Sequence, residues 1–433
     1  MQGRCIRSAR SPLRARLRAV PSKSGTHRAL VAAALASGTS VLREPLDADD
    51  TVRTRDGIRS LGIPVAEQPS AWVVHGAGGT VPGGGSMRLG ASGTSFRFLL
   101  ALASLGRAPS RLEGSERLGE RPILELAGAI ASLGGEVSLP SGGAALPAIA
   151  GGKPMLGGSV RLAGRESSQF ASALLLIGSR LPRGLDLTIE PGAVSLPYVR
   201  LTARVLEEFG VPVEGDGVTR WRISPADYRG REHRIEGDHS SASYFLAAAA
   251  LVGGVVRVEG LRPDSLQPDA AFGSMLRGIG CEVTAGDDWI EARGTGTIPG
   301  FELDLRASPD LAPTLAVLAL FAEGPCRLTG IGHLRSKESD RLEVLAAGLA
   351  RIGRQATADR DALTIGPPPA AGLHGGAVAT ASDHRIAMAF AVAGLRLPGI
   401  VIDDEDAVAK SHPGFWRDFS ALEPAEGPLR TGS

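Results

Sequence analysis

The sequence predicts an α/β protein of two domains, three similar units to a domain, with helices packed inside and sheets outside. Three observations lead there. A helical segment that is apolar on every side returns six times; an amphipathic helix closing on a glycine follows it in five of the six units; and short alternating strands, such as WRISP at 221–225 and VVRVEG at 255–260, fill what remains. A length of 433 residues with 43% hydrophobic content exceeds one ordinary core and is enough to bury two, each of roughly 200 residues.

The chain opens on MQGRCIRSARSPLRARLRAV, with six arginines and no acid. That bias resembles an organellar leader, but Arg14, Arg16 and Arg18 alternate with Ala15, Leu17 and Ala19, the period of a strand. A first strand is therefore expected here, with residues 1 to about 10 frayed. The first apolar segment, SGTHRALVAAALASG from Ser24, comes next, and DGIRSLGIPV follows as the amphipathic helix that ends on glycine and leads into a strand. SGTSFRFLLALASLG from Ser92 pairs with LELAGAIASLGGEV, and SSQFASALLLIG from Ser167 with VLEEFGVPV. SSASYFLAAAALVGG from Ser240 pairs with MLRGIGCEV, and SPDLAPTLAVLALFAEG from Ser308 with LAAGLARIGRQA. SDHRIAMAFAVAG from Ser382 stands last, without such a partner. The starts lie roughly seventy residues apart, whereas solenoid repeats run about 20 to 50 residues and keep one wet helix face. A helix apolar all round must be buried all round, which puts the helices inside. The tail from about Glu423, rich in Pro and Gly, is expected to be disordered.

Charge is concentrated where these helices begin. Residues 334–345 read LRSKESDRLEVL, with Arg335, Lys337, Glu338, Asp340 and Arg341 within seven positions of a chain that is 21% charged. A surface helix start explains part of this: Ser339 is the expected N-cap, Asp340 suits the first turn, and Leu342, Leu345 and Leu349 form the buried stripe. It does not explain His27, Arg28, Arg97, His384 and Arg385, which sit in the first turns of otherwise apolar helices. Helix N-termini carry free N–H groups and about half a positive charge, so several aimed at one cleft would gather anions. Lys23, Arg28, Arg97, Arg121, Lys337, Arg341, Arg385 and Lys410 against Asp310 and Glu338 suit one or two polyanionic small molecules, with the two acids as proton movers.

Other classes find no support. Lys plus Arg (47) nearly cancel Asp plus Glu (46), which offers no field for nucleic acid or an anionic membrane, and aromatic residues for base stacking are few. There is no P-loop, no nucleophile elbow and no H-E-x-x-H; His233 and His239 are spaced wrongly for a helical metal pair, so no metal is expected. Cys5, Cys281 and Cys326 are odd in number and far apart, consistent with a reducing compartment, and no apolar run reaches the length of a spanning helix. A soluble, cytoplasmic, monomeric protein is expected.

The motifs PSKSGTHRAL, GASGTSFRFL, ERPI, ESSQF, SLPY, GDHSSASYFLAAAA, KESDRL, SDHRIAMAF and AKSHPGFW occur in the order and spacing of 5-enolpyruvylshikimate-3-phosphate synthase, so the chain resembles that family from about Leu17 to Phe419. The resemblance implies a two-domain inside-out barrel of six βαβαββ repeats, with buried parallel helices and outer mixed sheets. It places domain one at residues 1–20 and 238–433 and domain two at 21–237, with the active site in a cleft that closes on substrate. It also implies transfer of the enolpyruvyl group of phosphoenolpyruvate to the 5-hydroxyl of shikimate 3-phosphate through a tetrahedral intermediate, with no cofactor. Lys23, Ser24, Arg28, Ser167, Ser168, Gln169, Ser195, Tyr198, Asp310 and Lys337 then look like shikimate 3-phosphate contacts, with His333 where the family often has Asn. Lys23, Gly93, Arg121, Gln169, Arg341, Arg385 and Lys410 look like the phosphoenolpyruvate grip. Asp310 is similar to the base for the 5-hydroxyl and Glu338 to the acid for the methylene carbon, assisted by Lys23 and His384. The family is the target of glyphosate; Ala91 and Phe98 depart from its usual Asn and Pro, which bears on inhibitor response. The alternatives are a UDP-N-acetylglucosamine enolpyruvyl transferase, which usually has Lys-Asn in the first loop and a loop cysteine, and a non-catalytic anion-binding protein of the same fold. Here the first loop reads Lys23-Ser24, no cysteine lies between Cys5 and Cys281, and both acids are present.

Overall fold

The computed structural model describes residues 3–9 and 12–422, so the tail expected from Glu423 lies outside the described residues. The six apolar segments form helices Lys23–Leu35, Gly93–Ser104, Gln169–Gly178, His239–Val252, Ala312–Leu320 and His384–Arg396. They bury nearly every residue: Ala29 to Ala36 and Leu99 to Ala103 are fully enclosed. The first three pack against one another, as do the last three, and each trio is the centre of its own hydrophobic core. One core draws on residues from Ala29 to Ile235, the other on Ile6, Leu13 and residues from Ala242 to Leu422.

Five sheets repeat one topology: a first strand parallel to a second, the second antiparallel to a third, the third antiparallel to a fourth. In the unit around the helix Ala312–Leu320, Glu302–Asp304 runs parallel to Cys326–Thr329, which pairs with Ala362–Ile365, and that strand with Ala356–Ala358. The buried helix joins the two parallel strands and an amphipathic helix precedes the hairpin, giving the βαβαββ order of an inside-out barrel. Parallel strands require such a crossover.

Two of the four-stranded sheets borrow a strand from far along the chain. Leu13–Arg18 pairs in parallel with Gly254–Glu259, and Glu232–Arg234 with Thr39–Arg43, so the backbone passes between the halves near residue 20 and returns near 237. The two passages touch: Pro21 and Gly237 form a bridge, Ser22 N–H donates to Glu236 O at 2.7 Å, and Asp238 N–H to Val20 O at 2.7 Å. In Leu13–Arg18 the arginines point outward, as their alternation requires. Residues 4 and 5, expected to fray, instead form the strand Arg4–Cys5, antiparallel to Val401–Ile402, with Ile6 in the core. No described helix is long and apolar enough to cross a membrane.

Candidate active site

Four of the six buried helices begin on a side-chain cap: Ser22 accepts from Gly25 N–H, Ser92 from Ser95 N–H, Asp238 from Ser241 N–H and Asp383 from Arg385 N–H. Gln169–Gly178 lacks one, and Ala312–Leu320 is entered through a 3-10 turn at Pro309–Leu311 that carries Asp310. The helix Arg341–Arg351 corrects the expected cap. Asp340 accepts from Glu343 N–H at 3.2 Å, while the Ser339 hydroxyl donates to Asp383 Oδ2 at 3.2 Å. Both residues are good caps; Asp383, on another helix, takes the serine and leaves the aspartate to cap.

Between the two halves these starts enclose a cavity of about 60 Å³. Lys23, Ser24, Arg28, Ser167, Ser168, Gln169, Ser195 and Tyr198 line it from one half, with Arg121. Asp310, Lys337, Glu338, Arg341 and Arg385 line it from the other. The structure therefore brings together residues that the sequence scatters over more than three hundred positions. Ser195 adopts a left-handed backbone (φ 56°), unusual for a residue with a side chain, and its N–H donates to Arg306 O of the opposite half at 2.9 Å.

Arg341 is the electrostatic centre. Its Nε donates to Asp383 Oδ2 at 2.7 Å, Nη1 to Asp310 Oδ1 at 3.1 Å and Nη2 to Glu338 Oε2 at 2.8 Å, with the side chain almost wholly buried. Arg385 Nη2 meets the other Asp310 oxygen at 2.9 Å, and the Tyr198 hydroxyl donates to it at 3.4 Å. Arg121 Nη1 stands 3.5 Å from Glu338 Oε1 and Lys410 Nζ 4.0 Å. Burial alone would raise the Glu338 carboxyl, but Arg341, Arg121 and Lys410 outweigh it and hold it well below the carboxylate range. Asp310 is likewise pushed up by burial and brought down further by Arg385, Arg341 and Lys337. Burial lowers the Lys337 ammonium to about 7 despite the pull of Asp310.

The remaining expected residues stand behind the cavity wall. Lys410 Nζ donates to Ala91 O at 2.9 Å and pairs with Asp50 Oδ1 at 3.1 Å, while Lys23 Nζ pairs with Asp50 Oδ2 at 3.0 Å. Arg97 donates to Gln169 Oε1 at 2.6 Å, and Gln169 Nε2 to Thr94 Oγ1 at 2.9 Å. Gly93 lies against Arg121: a Cβ there would fall 2.4 Å from Arg121 Nη1. His384 is fully enclosed, with neither ring nitrogen hydrogen-bonded; burial, then Lys23 and Arg385, keep it neutral. His333 is also held neutral, its pKa lowered by burial to about 3, and it does not line the cavity.

Two further acids pair with Lys23, Lys410 and Arg341, and the sequence reading missed both. Asp50 and Asp383, 2% and 0% exposed, complete the network. Asp50 sits in the run DADD, where nothing in the spacing separates it from exposed Asp47. Asp383 stands beside the flagged His384 and Arg385, and its place as a cap was the available signal. No group of described residues has the makings of a metal site.

The family model for EPSP synthase (3-phosphoshikimate 1-carboxyvinyltransferase) matches residues 8–419. The 3-phosphoshikimate 1-carboxyvinyltransferase of Methanoculleus marisnigri is 43% identical over 412 residues, 94% of this chain and 97% of that one. The protein of the same name from Syntrophobacter fumaroxidans is 40% identical over 419 residues, 95% of this chain and 98% of that one. Among solved structures, EPSP synthase from Acinetobacter baumannii superposes with a TM-score of 0.80 at 27% identity over 98% of both chains. The enolpyruvyl transferase NikO from Streptomyces tendae has the same fold, with a TM-score of 0.74 at 19% identity over 97% of this chain and 98% of that one. With six repeats, two helix trios and a cationic cleft between them, and with matches spanning nearly its whole length, the chain belongs to the EPSP synthase family.

Proposed function

We propose that this protein transfers the enolpyruvyl group of phosphoenolpyruvate to the 5-hydroxyl of shikimate 3-phosphate and releases phosphate. The observation that carries the reading is the Arg341 network, in which two carboxylates and a set of cations face one cavity from both halves. Shikimate 3-phosphate would take Lys23, Ser24, Arg28, Ser167, Ser168, Gln169, Ser195, Tyr198 and Lys337; phosphoenolpyruvate would take Arg121, Arg341, Arg385 and Lys410 beside Gly93. Asp310 accepts the 5-hydroxyl proton as the oxygen attacks C2 of phosphoenolpyruvate, and Glu338 protonates C3. In the second step Glu338 reclaims a proton from the new methyl group as phosphate leaves. In this reading an ionised glutamate becomes an acid when substrate changes its surroundings. Its charge is held by Arg341, Arg121 and Lys410; an anionic donor molecule that recruits those cations removes the cause of the shift, and the carboxyl rises toward protonation.

Admitting both substrates exchanges the internal ion pairs of this cavity for substrate ones, with the cleft opening and closing around them. Two separate cores support a division into residues 1–20 with 238–433 and residues 21–237 as the moving domains. Free cysteines at positions 5, 281 and 326 support a cytoplasmic protein, and a monomer without cofactor is part of the same reading. Phosphate release from phosphoenolpyruvate is expected with shikimate 3-phosphate and not with UDP-N-acetylglucosamine; release with neither acceptor would overturn the assignment. Glyphosate is expected to compete with phosphoenolpyruvate beside Gly93, where any side chain would run into the Arg121 guanidinium, and inhibition that persists unchanged as phosphoenolpyruvate rises would reject that.

A further inference from the structure

Arg117 neither lines the cavity nor belongs to any motif discussed above, yet it spans the cleft beside it. It sits on the short helix Glu116–Gly119, capped by Ser115 and anchored by buried Leu118. Its Nε donates to Lys337 O at 3.2 Å and its Nη2 to Arg335 O at 3.1 Å, while Nη1 is held by Glu120 Oε2 at 2.7 Å. One edge of the guanidinium fork thus grips two backbone carbonyls of the opposite half, a geometry that suits arginine's fixed donors.

The gripped segment is the one that carries Lys337 and Glu338. From its own half it is fixed at Arg335, whose side chain donates to Ala358 O and Asp359 O and pairs with Asp340 and Glu343. From across the cleft it is fixed at its backbone by Arg117. Four residues beyond Arg117, Arg121 faces the Glu338 carboxylate. One short stretch, 116–121, therefore holds both the main chain before Glu338 and the carboxylate of Glu338, and it can hold both only when the halves are together.

We propose that Arg117 is a positioning residue that couples closure of the cleft to the placement of Glu338. The inference rests on reading Glu338 as the proton donor. Its test compares wild type with Arg117→Ala, Arg117→Lys and Glu120→Ala in steady-state kinetics, shikimate 3-phosphate calorimetry and thermal unfolding. Arg117→Ala is expected to lower kcat about tenfold to a hundredfold, as for loss of charge-assisted hydrogen bonds. Its shikimate 3-phosphate affinity and Tm should stay near those of wild type. Arg117→Lys keeps a donor without the fork and should fall between, and Glu120→Ala should move the same way by less. A kcat within about twofold of wild type in Arg117→Ala overturns the proposal, as does a parallel loss of affinity, Tm and kcat, which would mark a structural brace. Should the alanine variant fail to fold, unchanged kcat in both other variants overturns it. Wild-type protein that releases no phosphate would instead reject the functional reading itself.

Discussion

Lys337 is half-buried in the cavity wall, and desolvation brings its ammonium to about 7, against Asp310 and with Arg121 and Arg97 adding to the drop. A group with that value exchanges its proton around neutral pH. A substrate phosphate or its hydroxyls favour the ammonium, so binding above pH 7 should take up a proton and affinity should weaken as pH rises. Calorimetry of shikimate 3-phosphate binding in two buffers of different ionisation enthalpy reads that uptake, which Lys337→Met should abolish. Glu338 gives a sharper outcome. Glu338→Gln keeps the shape and loses the exchangeable carboxyl proton, so turnover should fall about a hundredfold to ten-thousandfold while shikimate 3-phosphate binds normally; near-normal turnover rejects the assignment. At this scale the cations and two acids were legible because a charge among apolar helix formers stands out. Asp50 was not, since its burial depends on Lys23 and Lys410 arriving from opposite ends of the chain.

Asp383 ties three elements. It caps His384–Arg396 through Arg385 N–H at 3.0 Å, binds the first residue of Arg341–Arg351, and takes the hydroxyl of Ser339. Ala381 and Ser382 before it both adopt left-handed backbone, φ 51° and 53°, a strained approach that the surrounding structure must enforce. Removing the carboxylate leaves Arg341 buried with less compensation, so Asp383→Asn should cost about 3 kcal/mol or more, the penalty for breaking a buried pair. Urea unfolding checks this, and an unchanged midpoint would show that Asp310 and Glu338 suffice. The helices themselves were readable from composition, because a segment apolar on all sides has one environment open to it. The cap at residue 340 was not, because Ser339 and Asp340 are both competent and a residue over forty positions away decides between them. Nor was Arg4–Cys5, too short to show a period and dependent on Val401–Ile402 for its pairing.

The sixfold pattern and the helices-inside arrangement were visible in the spacing of apolar runs. The borrowed strands were not: nothing near Leu13 announces that its partner is Gly254. That arrangement has a consequence for how the chain can be rearranged. Because Asp238 N–H bonds to Val20 O, the stretch between them leaves and rejoins its host at a single point, like a domain inserted into a surface loop. Residues 21–237 expressed alone should fold cooperatively, with Glu232–Arg234 still completing its own sheet, and urea unfolding followed by circular dichroism would show it; a chain without a cooperative transition would refute it. The remainder should close over the excision when Val20 is linked to Asp238 by a glycine or two, and the excised piece should tolerate joining of its adjacent ends, Pro21 and Gly237, with new termini opened in a surface loop.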